Sequence, residues 1–206
     1  MNTSTSFVDG IFYINLDHRT DRREEIEEEL TRIGLPFERF SAIRTCPGSV
    51  GCGYSHLAIL TEARNRGYNN VLIFEDDFEF LIDKDTFHQY IRDIMNDVPS
   101  YDVIMLGYSL QRYEPSHSSL VNKVLEAQTT SAYIVHSKFY NVLINLLEEA
   151  IPLLESTGQH WIYAIDQIWK RLQPSSNWYA TSIRVGKQRP SMSETGTEPV
   201  FCDYGV

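Results

Sequence analysis

The sequence predicts an α/β fold in which a mixed, mostly parallel sheet carries helices on both faces. Three observations lead there. The apolar runs Ile11-Phe12-Tyr13-Ile14, Val71-Leu72-Ile73-Phe74 and Val103-Ile104-Met105-Leu106 have the length of buried strands. Charged segments with apolar residues spaced by three and four separate them, and such alternation builds a parallel sheet covered on both sides. Unusual polar residues gather just after the first two runs, where ligands bind in sheets of this kind.

The first strand falls within residues 8–16. Residues 19–33 follow as a helix, with Ile26, Leu30 and Ile33 on one stripe and Gly34 and Pro36 as stops. Residues 37–43 read as a second strand. Residues 45–53, rich in Gly, Cys and Pro, read as a loop before a helix over 55–66 that Gly67 closes. The apolar run at 71–74 is a strand halted by three carboxylates. A helix over 84–98 leads to the strand at 103–106, ending at Gly107. Residues 120–126 and 130–135 suggest a pair of strands, antiparallel to each other. Residues 138–151 carry Phe139, Val142, Leu143, Leu146 and Leu147 on an amphipathic helix capped by Ser137. Residues 161–172 form a further helix, and the chain from Pro174 reads as irregular.

A length of 206 residues suits one sizeable core. A single domain over 1–206 is expected, with residues 1–6 and about 195–206 flexible. Hydrophobic residues at 42% and charged residues at 22% are ordinary for a globular protein. The net charge of −10 argues against a nucleic-acid binder, which needs a basic face to displace counterions. It does not exclude one phosphate-bearing ligand held by local arginines or a metal. Three cysteines are a poor disulfide framework and fit a reducing compartment, so Cys46 and Cys52 read as packing residues or free thiols. No apolar stretch is long enough for a transmembrane segment, and the polar start has no signal-peptide pattern. The expected location is cytoplasmic.

Glu75-Asp76-Asp77 is the first of three chemical clusters. Adjacent carboxylates repel unless water or a cation relieves them, and hard oxygen ligands suit Mg²⁺ or Mn²⁺. Alternation puts Glu75 and Asp77 on one side, to chelate metal, and Asp76 on the other, to reach a sugar or ribose hydroxyl. The plainer reading is a solvated strand exit. The second cluster, residues 15–23, opens the first helix with Asn15, Asp17, Arg19 and Arg22, suited to holding a nucleotide; the plainer reading is an ordinary helix start with surface ion pairs. The third is Gly51-Cys52-Gly53-Tyr54-Ser55-His56. Its glycines allow close backbone approach to a ligand, and His56, in a first helical turn, reaches a pocket or serves the core.

Taken together, these segments resemble glycosyltransferase family 25, which includes bacterial lipooligosaccharide and collagen galactosyltransferases. The resemblance rests on Asn15-Leu16-Asp17 with Asp21-Arg22, Gly51-Cys52 with Ser55-His56, and Phe74-Glu75-Asp76-Asp77, in that order and spacing. Thr130-Ser131-Ala132-Tyr133-Ile134-Val135 and Gln188-Arg189-Pro190-Ser191-Met192-Ser193 extend it over about residues 8–194. It implies a GT-A type, Rossmann-like fold, a UDP-sugar donor, often UDP-galactose, and inversion at the anomeric carbon. It implies Glu75 and Asp77 as ligands of Mn²⁺ or Mg²⁺, and Asn15, Leu16, Arg19, Arg22, His56, Asp76 and Gln188 as donor contacts. The sequence departs from the pattern at Glu194-Thr195, and no histidine follows His160 to serve as the late metal ligand of many GT-A enzymes.

An inverting transfer needs a base for the acceptor hydroxyl of a glycan or protein. Asp166 is the candidate. It lies about a quarter-turn from the apolar set Trp161, Ile165, Ile168 and Leu172, at the border of core and cleft. Glu194 and His160 are its rivals, and a surface aspartate is the plain alternative. Two other functions compete. A catalytically degenerate nucleotide-sugar or glycan-binding module would keep recognition without turnover. A nucleotidyltransferase wants a Gly-rich loop with a Lys after the first strand, and residues 15–23 hold neither.

Overall fold

A computed structural model describes residues 7–189. The segments 1–6 and 195–206, expected to be flexible, lie outside them, as does Glu194. Among the described residues six strands form one sheet: β1 (Gly10–Asn15), β2 (Glu38–Ser41), β3 (Asn70–Glu75), β5 (Val103–Pro115), β6 (Val121–His136) and β7 (Trp178–Thr181). Their order is β2-β1-β3-β6-β5-β7, and β6 alone among them runs against the rest. The sheet is therefore mixed and mostly parallel, as expected.

Alternation along each strand feeds two cores. Phe12, Ile14, Val71, Ile73, Val103 and Met105 face one side, under helices α2 (Gly48–Asn65) and α4 (Ser137–Thr157). Ile11, Tyr13, Leu72, Phe74, Ile104 and Leu106 face the other, under α1 (Thr20–Ile33) and α3 (Lys84–Asp97). The stripe Ile26, Leu30 and Ile33 is fully buried, and Gly34 ends α1 at φ 75°, a left-handed conformation that glycine adopts without strain.

Several elements differ from expectation. Helix α2 begins at Gly48, so the supposed loop at 45–53 is largely helical and His56 sits in the third turn. The glycines there serve helix packing: a Cβ on Gly51 would lie 2.0 Å from the Ile43 carbonyl oxygen, and one on Gly53 3.1 Å from Ile151. The pair at 120–126 and 130–135 is one strand, β6, which runs antiparallel to β3, β5 and β7. The break between them falls at Thr129, which takes φ 72° within the strand. His136, not Ser137, caps α4.

The helix expected over 161–172 is two short turns, α5 (His160–Tyr163) and α6 (Ile165–Ile168), broken at Ala164 and followed by 3₁₀ turns at Trp169–Arg171 and Gln173–Ser175. Trp169 enters the core, with ring centroids 5.4 Å from Tyr133 and 5.0 Å from Trp178. Trp161 stays out, 62% exposed, so it does not share the buried stripe assigned to it. The stretch read as irregular contains β7 and β8 (Gly186–Gln188), the latter paired with β4 (Phe78–Phe80). Cys46 is disulfide-bonded, which corrects its reading as a packing residue or thiol and removes the support the cysteine count lent to a reducing compartment. Cys52 is free. Among the described residues no helix is long and apolar enough to cross a membrane.

Candidate active site

Two open clefts meet at the carboxyl ends of β1 and β3. The first, about 770 Å³, is lined by Leu16, Arg19, Arg22, Arg44, Thr45 and the acidic cluster. The second, about 1400 Å³, is lined by Ser109, Gln128, Thr129, His160, Trp161 and Asp166. Cys52, Glu75 and Gln188 line both, so the clefts join at these side chains.

Strand β3 ends at Glu75, and the next two residues turn toward β4. Alternation holds only in extended chain, so the expected split of Glu75 and Asp77 from Asp76 does not occur. Glu75 continues the Val71–Ile73 face toward α2. Its Oε1 accepts a hydrogen bond from the Thr130 hydroxyl and sits 3.2 Å from His56 Nε2. Burial alone would raise the Glu75 carboxyl. The His56 bond and charge, Thr130 and the Arg22 charge outweigh burial and hold it below the usual range.

Asp76 and Asp77 converge on Arg22. Its Nη1 is 3.0 Å from Asp76 Oδ1 and 3.9 Å from Asp77 Oδ2. Asn15 Nδ2 donates to Asp76 Oδ2 at 2.8 Å, and burial still raises Asp76. Gln188 Nε2 donates to Asp77 Oδ2 at 2.9 Å, while Asp77 Oδ1 is buried with no hydrogen-bond partner among the described residues. Burial, and then the charge of Glu75, push Asp77 up to about 7. A buried carboxylate oxygen without a donor is costly, and a bound cation would relieve it.

The residues singled out from sequence are brought together, though several already carry structural bonds. Asn15 is buried, its amide donating to the Arg19 carbonyl and Asp76 and its Oδ1 accepting from Arg39 Nε at 3.1 Å. Arg19 grips Asp21 at 2.7 Å, and Leu16 lines the first cleft. His56 is fully buried, with Nδ1 2.8 Å from the Tyr133 hydroxyl and Nε2 on Glu75. Gln188 spans Asp77 and the Thr129 hydroxyl, 3.3 Å away.

Asp166 opens α6 in the second cleft, its Oδ2 3.5 Å from the Thr129 amide. Burial, with help from the Glu75 charge, raises it. Its rival His160 lines the same cleft. Arg39, Arg44, Thr130 and Tyr133 were not singled out. Only the Thr130–Val135 stretch, noted for its resemblance, signalled two of them.

A protein-family model described as Glycosyltransferase family 25 (LPS biosynthesis protein) matches residues 44–169. The chain is 42% identical over 64 residues to Inactive glycosyltransferase 25 family member 3 of Mus musculus, covering 29% of this chain and 10% of that protein. It is 30% identical over 131 residues to Glycosyltransferase 25 family member of Drosophila melanogaster, covering 48% of this chain and 21% of that one. The matches thus span only a tenth to a fifth of these relatives. Among solved structures, a glycosyltransferase involved in glycosylation of the major capsid of PBCV-1 aligns at TM-score 0.53 and 11% identity, over 90% of this chain and 94% of that one. A197 from STIV aligns at TM-score 0.50 and 12% identity, over 90% and 86%. At such identities the likeness is one of fold.

Proposed function

The chain belongs to glycosyltransferase family 25, and from that premise we propose that it moves a sugar, galactose first among candidates, from a UDP-sugar to a hydroxyl of a glycan or protein acceptor, with inversion. One observation carries this reading: an arginine-lined cleft and an Asp166-lined cleft join at a buried acidic cluster. Arg19, Arg22 and Arg44 suit a diphosphate. Asp77, whose Oδ1 lacks a partner among the described residues, and the neighbouring Glu75 would hold Mn²⁺ or Mg²⁺. When bound there, the cation supplies positive charge against the leaving diphosphate.

The chain's own residues do the rest. Asn15 and Arg22 hold Asp76 in place. Gln188 orients Asp77. In the second cleft, Asp166 takes the proton of the acceptor hydroxyl as that oxygen bonds to the anomeric carbon and the bond to the diphosphate breaks. Burial makes Asp166 a stronger base than an exposed aspartate.

A second reading is a catalytically degenerate nucleotide-sugar or glycan-binding module, favoured by the mouse relative's designation as inactive. Incubation with UDP-galactose and Mn²⁺, with and without EDTA, separates the two. Transfer predicts metal-dependent UDP release, by hydrolysis where no acceptor is present. No release from any UDP-sugar, with binding retained, leaves the binding module.

A further inference from the structure

We infer that Cys52, His56 and Glu75 form a second cation site, sharing Glu75 with the one at Asp77 and suited to a thiophilic divalent ion of the zinc class. Cys52 and His56 are four residues apart on α2, so their side chains leave the same helix face. Glu75 meets them from the end of β3. Cys52 Sγ is 3.9 Å and His56 Nε2 is 3.2 Å from Glu75 Oε1, and one donor atom from each residue lies within 4.8 Å of the other two. Tetrahedral zinc, with bonds of about 2.0–2.3 Å, separates its ligand atoms by about 3.3–3.6 Å. Small side-chain shifts close that geometry.

The surroundings fit as well. A metal-binding histidine is commonly oriented through its other ring nitrogen, and His56 Nδ1 sits 2.8 Å from the Tyr133 hydroxyl. Thr130 holds Glu75 in the same way. Cys52 and Glu75 line both clefts, so an ion between them is reached from solvent and keeps an open position for water or ligand. The donor set separates this site from the one at Asp77. Sulfur and imidazole select zinc-class ions, whereas carboxylates alone suit Mg²⁺ and Mn²⁺. On binding, the Cys52 thiol releases its proton to solvent, and His56 presents its Nε2 lone pair while Nδ1–H donates to Tyr133. An ion here draws on Glu75 where the clefts join, so zinc inhibits turnover. That consequence, unlike the binding itself, rests on the transferase reading.

Cobalt serves as the spectroscopic probe. Titrating the full chain with Co²⁺ should give a thiolate-to-cobalt charge-transfer band and the intense visible bands of a four-coordinate ion. Zn²⁺ should erase both, and excess Mg²⁺ should leave them. Cys52→Ser should lack the charge-transfer band, and Glu75→Gln should weaken Zn²⁺ at least about tenfold in competition with a chromophoric chelator. A wild-type chain without the band, a band that survives in Cys52→Ser, or unchanged zinc affinity in Glu75→Gln overturns the site. Cobalt binding through Cys52 in a chain that releases no UDP would keep the site and discard the transferase.

Discussion

Asp77 stands almost out of water, one carboxylate oxygen on Gln188 and the other without a hydrogen-bond partner among the described residues. Its pKa rises from an ordinary 3.8 to about 7. The folded chain then keeps a proton that the unfolded chain has lost. The stability this proton confers is full below the unfolded value and is lost as pH climbs through the folded one. Asp77→Asn in metal-free protein should therefore be the more stable form above pH 7, with the gap over wild type shrinking toward pH 4. Denaturant unfolding at the two pH values reads this, and a gap independent of pH would refute it. The same variant should lose metal-dependent UDP-sugar binding. Asp166→Asn should lower turnover by roughly 10²–10⁴-fold with donor affinity unchanged; full activity would move the base elsewhere. Asp77 stood out in the sequence as a carboxylate after an apolar strand, whereas the helical stripe that pointed to Asp166 is broken at Ala164 and leaves Trp161 exposed. Thr130 and Tyr133 were less legible. Nothing in a strand's own pattern says what faces it across the sheet.

Helix α2 shows where local propensity misleads. Gly48, Gly51 and Gly53 lower helical propensity, and read alone they mark a loop. The chain is helical there because α2 packs closely against the 42–45 segment and α4. Gly51→Ala tests this directly. Propensity alone would make it stabilising by about 0.5–1 kcal/mol. A methyl group 2.0 Å from the Ile43 carbonyl should instead destabilise by about 1–3 kcal/mol, read as a lower denaturant midpoint. Strand β6 gives the same lesson. Its outer half buries every third residue, at Val121, Val124 and Ala127, so the period-two signal was absent and one strand read as two. By contrast β1 and β3 were legible as short continuous apolar runs, buried on both faces of the sheet, and α1 as a helix that buries one stripe.

At the scale of the whole molecule, the two clefts tie ligand binding to folding. With Mn²⁺ and UDP at about 100 times its Kd, unfolding free energy should rise by about 2.7 kcal/mol, and EDTA should remove most of the gain. A gain unaffected by EDTA would argue against a metal-assisted diphosphate site. By itself the sequence determined the α/β class, the sheet's main direction and the position of the acids at a strand end, because hydrophobic period and strand length are local properties. Tertiary structure alone decided that Asp76 and Asp77 converge on Arg22, that His56 and Thr130 hold Glu75, and that β8 brings Gln188 to Asp77. Those partners lie between 19 and 111 residues apart in the chain. Only folding of the whole sheet, driven by burial on both its faces, brings such distant groups within hydrogen-bond reach.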